Sequence, residues 1–140
     1  MPVAHLNGID VYFEHNGSGP RLLYINGSGS TLDRARPTLD MLQRHFDLAA
    51  HDQRGLGKTE VPSTPWTMAD HAQDALNLAD YLGWGTFRIF GISFGGMVAQ
   101  ELAVTAPQRV ERLALVCTSA GGAGGSSYPL HELAQLSPVD

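Results

Sequence analysis

Residues Gly91-Ile92-Ser93-Phe94-Gly95 spell G-x-S-x-G between two opposed kinds of pattern. The apolar run Phe87-Arg88-Ile89-Phe90 stops just before it, and a helical pattern from Phe94 to Ala106 starts within it. A chain that passes straight from strand to helix at a serine must bend sharply there. Glycines two residues to either side leave room for the bend.

The flanking sequence repeats the strand–helix alternation. Val3 to Leu6 and Ile9 to Glu14 read as two strands, with Asn7-Gly8 between them as a hairpin turn. Asn16-Gly17-Ser18-Gly19-Pro20 reads as a loop. In Arg21-Leu22-Leu23-Tyr24-Ile25 the residues after Arg21 form a continuous apolar run, as expected of a strand buried on both faces of a parallel sheet. A glycine-rich turn, Asn26-Gly27-Ser28-Gly29-Ser30, follows it. Pro37 fits the first turn of the next helix, whose apolar stripe is Leu39, Leu42 and Phe46. Phe46 to Ala50 is the next strand, and Val61 to Trp66, with two prolines, is a loop.

The clearest helix runs from Thr67 to Leu82. Ala72, Ala75, Leu76, Ala79 and Leu82 recur on one face. Thr67 and Asp70 match a capping arrangement, and Gly83 can close the far end. After the Phe94–Ala106 helix comes a strand from Val110 to Thr118. His131 to Leu136 reads as the start of a short helix. This alternation predicts an α/β chain: three α/β/α layers with a mostly parallel sheet. Residues 1–120 form the core, and residues 121–140 form a glycine-rich connection into a further segment.

Composition excludes several functions. A net charge of −5 without a basic cluster leaves no nucleic-acid footprint. Cys117 is the one cysteine, so no intrachain disulfide or C-x-x-C site exists; it reads as a small buried residue on a strand. No apolar run approaches the ~20 residues that span a bilayer. The first residues do not form a signal peptide, so the expected location is the cytoplasm. No metal or organic cofactor is implied.

Ser93 is the candidate nucleophile. Its hydroxyl needs a base to remove the proton. An acyl-transfer site also needs donors for the oxyanion. One is the N–H of Phe94, at the start of a helix where unpaired N–H groups gather. The other candidate is the N–H of Ser28, in the glycine-rich turn. A phosphate-binding loop is the rival reading of that turn, but neither a Lys-Ser/Thr pair nor G-x-G-x-x-G spacing is present. His71 falls on the polar side of its helix and reads as exposed. Glu101 and Glu111 read as surface charges.

Three segments in this order carry a family resemblance: Asn26-Gly27-Ser28-Gly29, Asp52-Gln53-Arg54-Gly55-Leu56-Gly57-Lys58-Thr59 and Gly91-Ile92-Ser93-Phe94-Gly95-Gly96. From Val3 to about Ser119 the chain resembles the first half of an α/β-hydrolase of the single-domain esterase, lactonase and C–C-bond-hydrolase type. The resemblance implies that Asp52 and Arg54 organise a turn and do not catalyse. The oxyanion turn begins Asn26-Gly27 where His-Gly is usual, and Thr59 replaces a common serine. The family orders its triad Ser, then Asp or Glu, then His. His131 is the only histidine after Ser93, and it falls where the family's lid begins. The expectation is therefore an N-terminal portion of an α/β-hydrolase core that lacks its C-terminal strands. A C-terminal half or second chain would supply the acid and the histidine. Without it, Leu113 to Val116 would form an open apolar sheet edge.

The implied function is a serine hydrolase acting on a small-molecule ester, lactone or activated C–C bond. One alternative is a non-catalytic hydrolase-like scaffold. Another is a cofactor-free perhydrolase or haloperoxidase-like enzyme, since those relatives use the same triad. Epoxide and haloalkane hydrolases are disfavoured, because they need aspartate at the position of Ser93.

Overall fold

Leu22 and Tyr24 pack to one side of a strand while Leu23 and Ile25 pack to the other, and all four are buried. That strand lies inside a layered structure, as its unbroken apolar run requires. The computed structural model describes residues 2–122, so the His131–Leu136 segment lies outside the described residues. Six strands form one sheet: β1 (Val3–Leu6), β2 (Ile9–Gly17), β3 (Arg21–Ile25), β4 (Asp47–His51), β5 (Phe87–Ile92) and β6 (Val110–Val116). Their spatial order is β1-β2-β4-β3-β5-β6. The β3–β4, β3–β5 and β5–β6 pairs are parallel; β1–β2 and β2–β4 are antiparallel.

Among the described residues three α-helices cover the two faces: α1 (Arg36–Leu42), α2 (Met68–Tyr81) and α3 (Phe94–Thr105). Helices α2 and α3 enclose a core with Val11, Phe13, Leu23, Ile25, Ala75, Leu78, Ile89 and Leu102. Helix α1 encloses a second cluster with Tyr12, Leu22, Tyr24, Leu39 and Leu48 on the opposite face. These are the three expected layers.

The Asn7-Gly8 turn has positive φ at both residues, 49° and 79°, the geometry that matches strand twist in a two-residue hairpin. Helix α2 opens with Thr67 N–H donating to Asp70 Oδ2 at 2.8 Å, and Gly83 at φ 69° stands just beyond its end.

Three expectations about the strands and their connections need correction. Strand β2 runs on to Gly17, where a loop was expected. Asn16 and Gly17 pair with Leu48 and Asp47 of β4, and His15 Nε2 lies 2.6 Å from Asp47 Oδ1. A partner strand thus extends a polar stretch that has no strand propensity of its own. Phe46 lies between α1 and β4 and belongs to neither, though it still packs against the same cluster as Leu39. Cys117 is exposed, one residue past β6, with φ 50°.

Strand β6 ends the sheet among the described residues. Leu113 and Leu115, two residues apart and so on one face, are 39% and 41% exposed. An uncovered apolar edge invites pairing with another chain. Leu115→Lys is expected to lower concentration-dependent light scattering of this chain several-fold, without loss of secondary structure by circular dichroism. Unchanged scattering would assign the association to another surface.

Candidate active site

Ser93 sits between β5 and α3 with φ 53° and ψ −121°, a strained conformation for a residue with a side chain. Such strain costs about 1–3 kcal/mol and persists only where the surroundings enforce it. Here they do. Ser93 N–H donates to Val116 O at 2.9 Å, at the end of β6. Its carbonyl accepts from Gly96 N–H at 2.9 Å and from the Thr118 hydroxyl at 2.7 Å. The side chain is exposed, and among the described residues its hydroxyl has no hydrogen-bond partner.

The flanking glycines are needed for close approach. A Cβ on Gly91 would stand 2.6 Å from Gly95 O and 2.8 Å from the Ala99 Cβ. A Cβ on Gly95 would collide with the carbonyl oxygens of Ile25 and Asn26. The motif therefore lets α3 lie directly against the ends of β3 and β5.

The same closeness brings the glycine-rich turn to the serine. A Cβ on Gly27 would stand 3.5 Å from the Ser93 Cβ. Asn26 holds this turn. Its Oδ1 accepts from Gly27 N–H at 2.9 Å and from the Tyr24 hydroxyl at 3.2 Å, while its Nδ2 donates to Thr31 O at 3.1 Å. Gln53 Nε2 donates to Asn26 O at 2.6 Å. Among the described residues, the N–H groups of Ser28 and Phe94 have no acceptor. Ser93, Ser28 and Phe94 thus belong to two adjoining turns that meet at one end of the sheet.

Asp52 organises a turn, as expected. Its carboxylate accepts from Leu32 N–H at 2.8 Å and Lys58 N–H at 3.0 Å. Arg54 does something else: it forms a two-pronged ion pair with Asp74 of α2, at 2.7 and 2.8 Å. Asn7 Nδ2 adds a 3.0 Å bond to Asp74 Oδ1.

His71 is buried, against the expectation of an exposed residue. Its Nε2 accepts from Trp66 Nε1–H at 3.2 Å. Its ring stands edge-on to that of Phe94, with centroids 5.1 Å apart. Burial pushes its pKa below the usual histidine value, against the attraction of Asp74. His51, fully enclosed at the end of β4, is lowered for the same reason. A signal for His71 was present in the sequence: positions 71, 74, 75 and 78 are spaced as one helical face, so the buried arc of α2 is wider than its alanine and leucine stripe. Asn26 could have been read as a side chain that caps its own turn. Gln53 carried no signal.

Among the described residues, no helix is long and apolar enough to cross a membrane. Residues 20–137 match the family described as alpha/beta hydrolase fold. The chain is 33% identical over 100 residues to a poly(3-hydroxyalkanoate) depolymerase of Ectopseudomonas oleovorans, a match covering 71% of this chain and 35% of that protein. It superposes on the enol-lactonase of Burkholderia xenovorans LB400 with TM-score 0.80 and 32% identity, over 85% of this chain and 47% of that one. For a hydrolase of Pseudomonas aeruginosa PA01 the TM-score is 0.82 and the identity 34%, over 96% and 50%. The chain spans between a third and a half of the length of these relatives.

Proposed function

The chain belongs to the α/β-hydrolase fold family, and on that premise we propose that it carries the nucleophilic half of a serine hydrolase. The observation that carries this reading is Ser93: an exposed hydroxyl on a strained strand-to-helix turn, beside a glycine turn with unpaired N–H groups. Ser93 Oγ attacks the carbonyl of a small ester, lactone or activated C–C substrate. The N–H groups of Ser28 and Phe94 hold the oxyanion of the tetrahedral intermediate. An acid and a histidine from outside the described residues complete the triad. The histidine takes the serine proton and returns it to the leaving group. The relatives named above include a depolymerase and a lactonase, which fits carbonyl chemistry at a serine.

Fluorophosphonate labelling read by intact mass tests this. The expected result is one adduct, located at Ser93 and lost in Ser93→Ala. Its rate should rise by about 10³-fold or more when the histidine-bearing segment is present. Equal labelling of wild type and Ser93→Ala would overturn the assignment. Labelling that ignores the added segment would overturn the division of the triad. No labelling in any assembly favours the scaffold reading.

A further inference from the structure

His71 lies on α2, 22 positions before Ser93, and the triad reading gives it no task. Yet it is buried against the first residue of α3. Trp66 Nε1–H points at its Nε2, which must therefore be the unprotonated nitrogen. The proton then sits on Nδ1, which is buried and has no partner among the described residues. The ring's edge contact with Phe94, at 5.1 Å and 81°, joins this side chain to the residue whose N–H is the candidate oxyanion donor. Trp66 comes from the proline-containing loop, and its ring also lies 3.3 Å from where a Cβ on Gly55 would stand. A loop, a helix and the serine turn thus meet through three aromatic rings.

We propose that His71 is a positioning residue for the oxyanion site: in its neutral form, oriented by Trp66, it anchors Phe94, and protonation at Nε2 releases that anchor. The proposal rests on the reading of Phe94 N–H as an oxyanion donor. Protonation would put a second N–H opposite the Trp66 N–H. The Trp66 bond would be lost, and a second buried donor would be left without an acceptor. Trp66, 38% exposed, is the member of the pair open to solvent.

The charged surroundings are mixed. Asp70 and Asp74 on α2 favour the protonated ring, while Arg54 opposes it; His51, at the end of β4, is itself pushed toward its neutral form by burial. Among the elements packed on α2, β1 brings His5, held by Asp10 at 2.9 Å, and β3 brings Arg21 at its start. Helix α3 brings Glu101, seven residues beyond Phe94. Burial outweighs the two aspartates, so the ring stays neutral down to pH values below the ordinary 6.5. The anchor is therefore intact above 6.5 and is lost as pH falls through the depressed value.

The test follows the Trp66 indole and Phe94 backbone N–H resonances of the full chain by NMR between pH 8 and about pH 4.5, within the histidine titration range. Both are expected to shift with one shared midpoint below 6.5. In Trp66→Phe, which removes the donor but keeps the His71 ring, the Phe94 midpoint should move up by about half to one pH unit, the worth of one hydrogen bond to the neutral form. In His71→Gln the shared titration should vanish. A Phe94 resonance that stays flat through the Trp66 transition overturns the proposal. So does an unmoved Phe94 midpoint in Trp66→Phe, a measurement that decides the matter even if His71→Gln does not fold. Labelling of Ser93 is read separately, so failure of the nucleophile assignment is distinguishable from failure of this anchor.

Discussion

A Gly95→Ala variant is expected to lose about 3 kcal/mol or more of stability and nearly all reaction at Ser93. The added methyl would meet the carbonyl oxygens of Ile25 and Asn26, which are backbone atoms at the end of the central strand. They cannot rotate aside as a side chain could. Overpacking a rigid site typically costs about 1–3 kcal/mol, and relief here requires α3 to move off the sheet. Whole domains hold only about 5–15 kcal/mol, so the loss is visible in urea as a lower midpoint at unchanged slope. Gly85→Ala is the control: a Cβ there meets nothing within 4 Å, and its φ is not in the left-handed region. It should stay within about 0.5 kcal/mol of wild type. Equal midpoints for the two variants would mean that the glycine of the serine turn is not required by close approach.

Asp74→Ala is expected to cost about 3–5 kcal/mol, because it leaves a buried guanidinium without its partner. Asp74 and Arg54 have side chains only 1% and 6% exposed, and they face each other through two bonds. Asn7 also loses an acceptor, which loosens the first hairpin from α2. The double variant Arg54→Met/Asp74→Leu removes both charges and should recover most of the loss. Thermal or urea unfolding of Arg54→Met, Asp74→Leu and the double variant measures the coupling. Additive losses, with no recovery in the double variant, would show that the pair contributes through packing and not through charge.

These two sites differ in how far they could be read before folding. The serine turn is local. Its strand, its two spaced glycines and its helix occupy consecutive residues, so each constraint lies beside the next. The Arg54–Asp74 pair joins residues 20 positions apart, and only the packing of α2 against the segment after β4 brings them together. Asp52 reads as a turn organiser through the family resemblance; its partner Leu32 also stands 20 positions away, and only folding brings that N–H to the carboxylate. Arg54, two residues on, looked the same in sequence and points elsewhere.

By itself the sequence determined the layered α/β arrangement, the Asn7-Gly8 hairpin, the extent of α2 and the position of Ser93. Each rests on hydrophobic period or on a backbone geometry that glycine, asparagine or proline permits, and those act over a few residues. Tertiary structure alone decided that β2 reaches Gly17, because β4 supplies the pairing. It decided that His71 is buried against Phe94 and Trp66, and that Cys117 is exposed beyond the edge strand. Burial and pairing depend on what the chain brings alongside from a distance; a residue's own neighbours record at most the helical face it shares, as for His71, and not what covers that face.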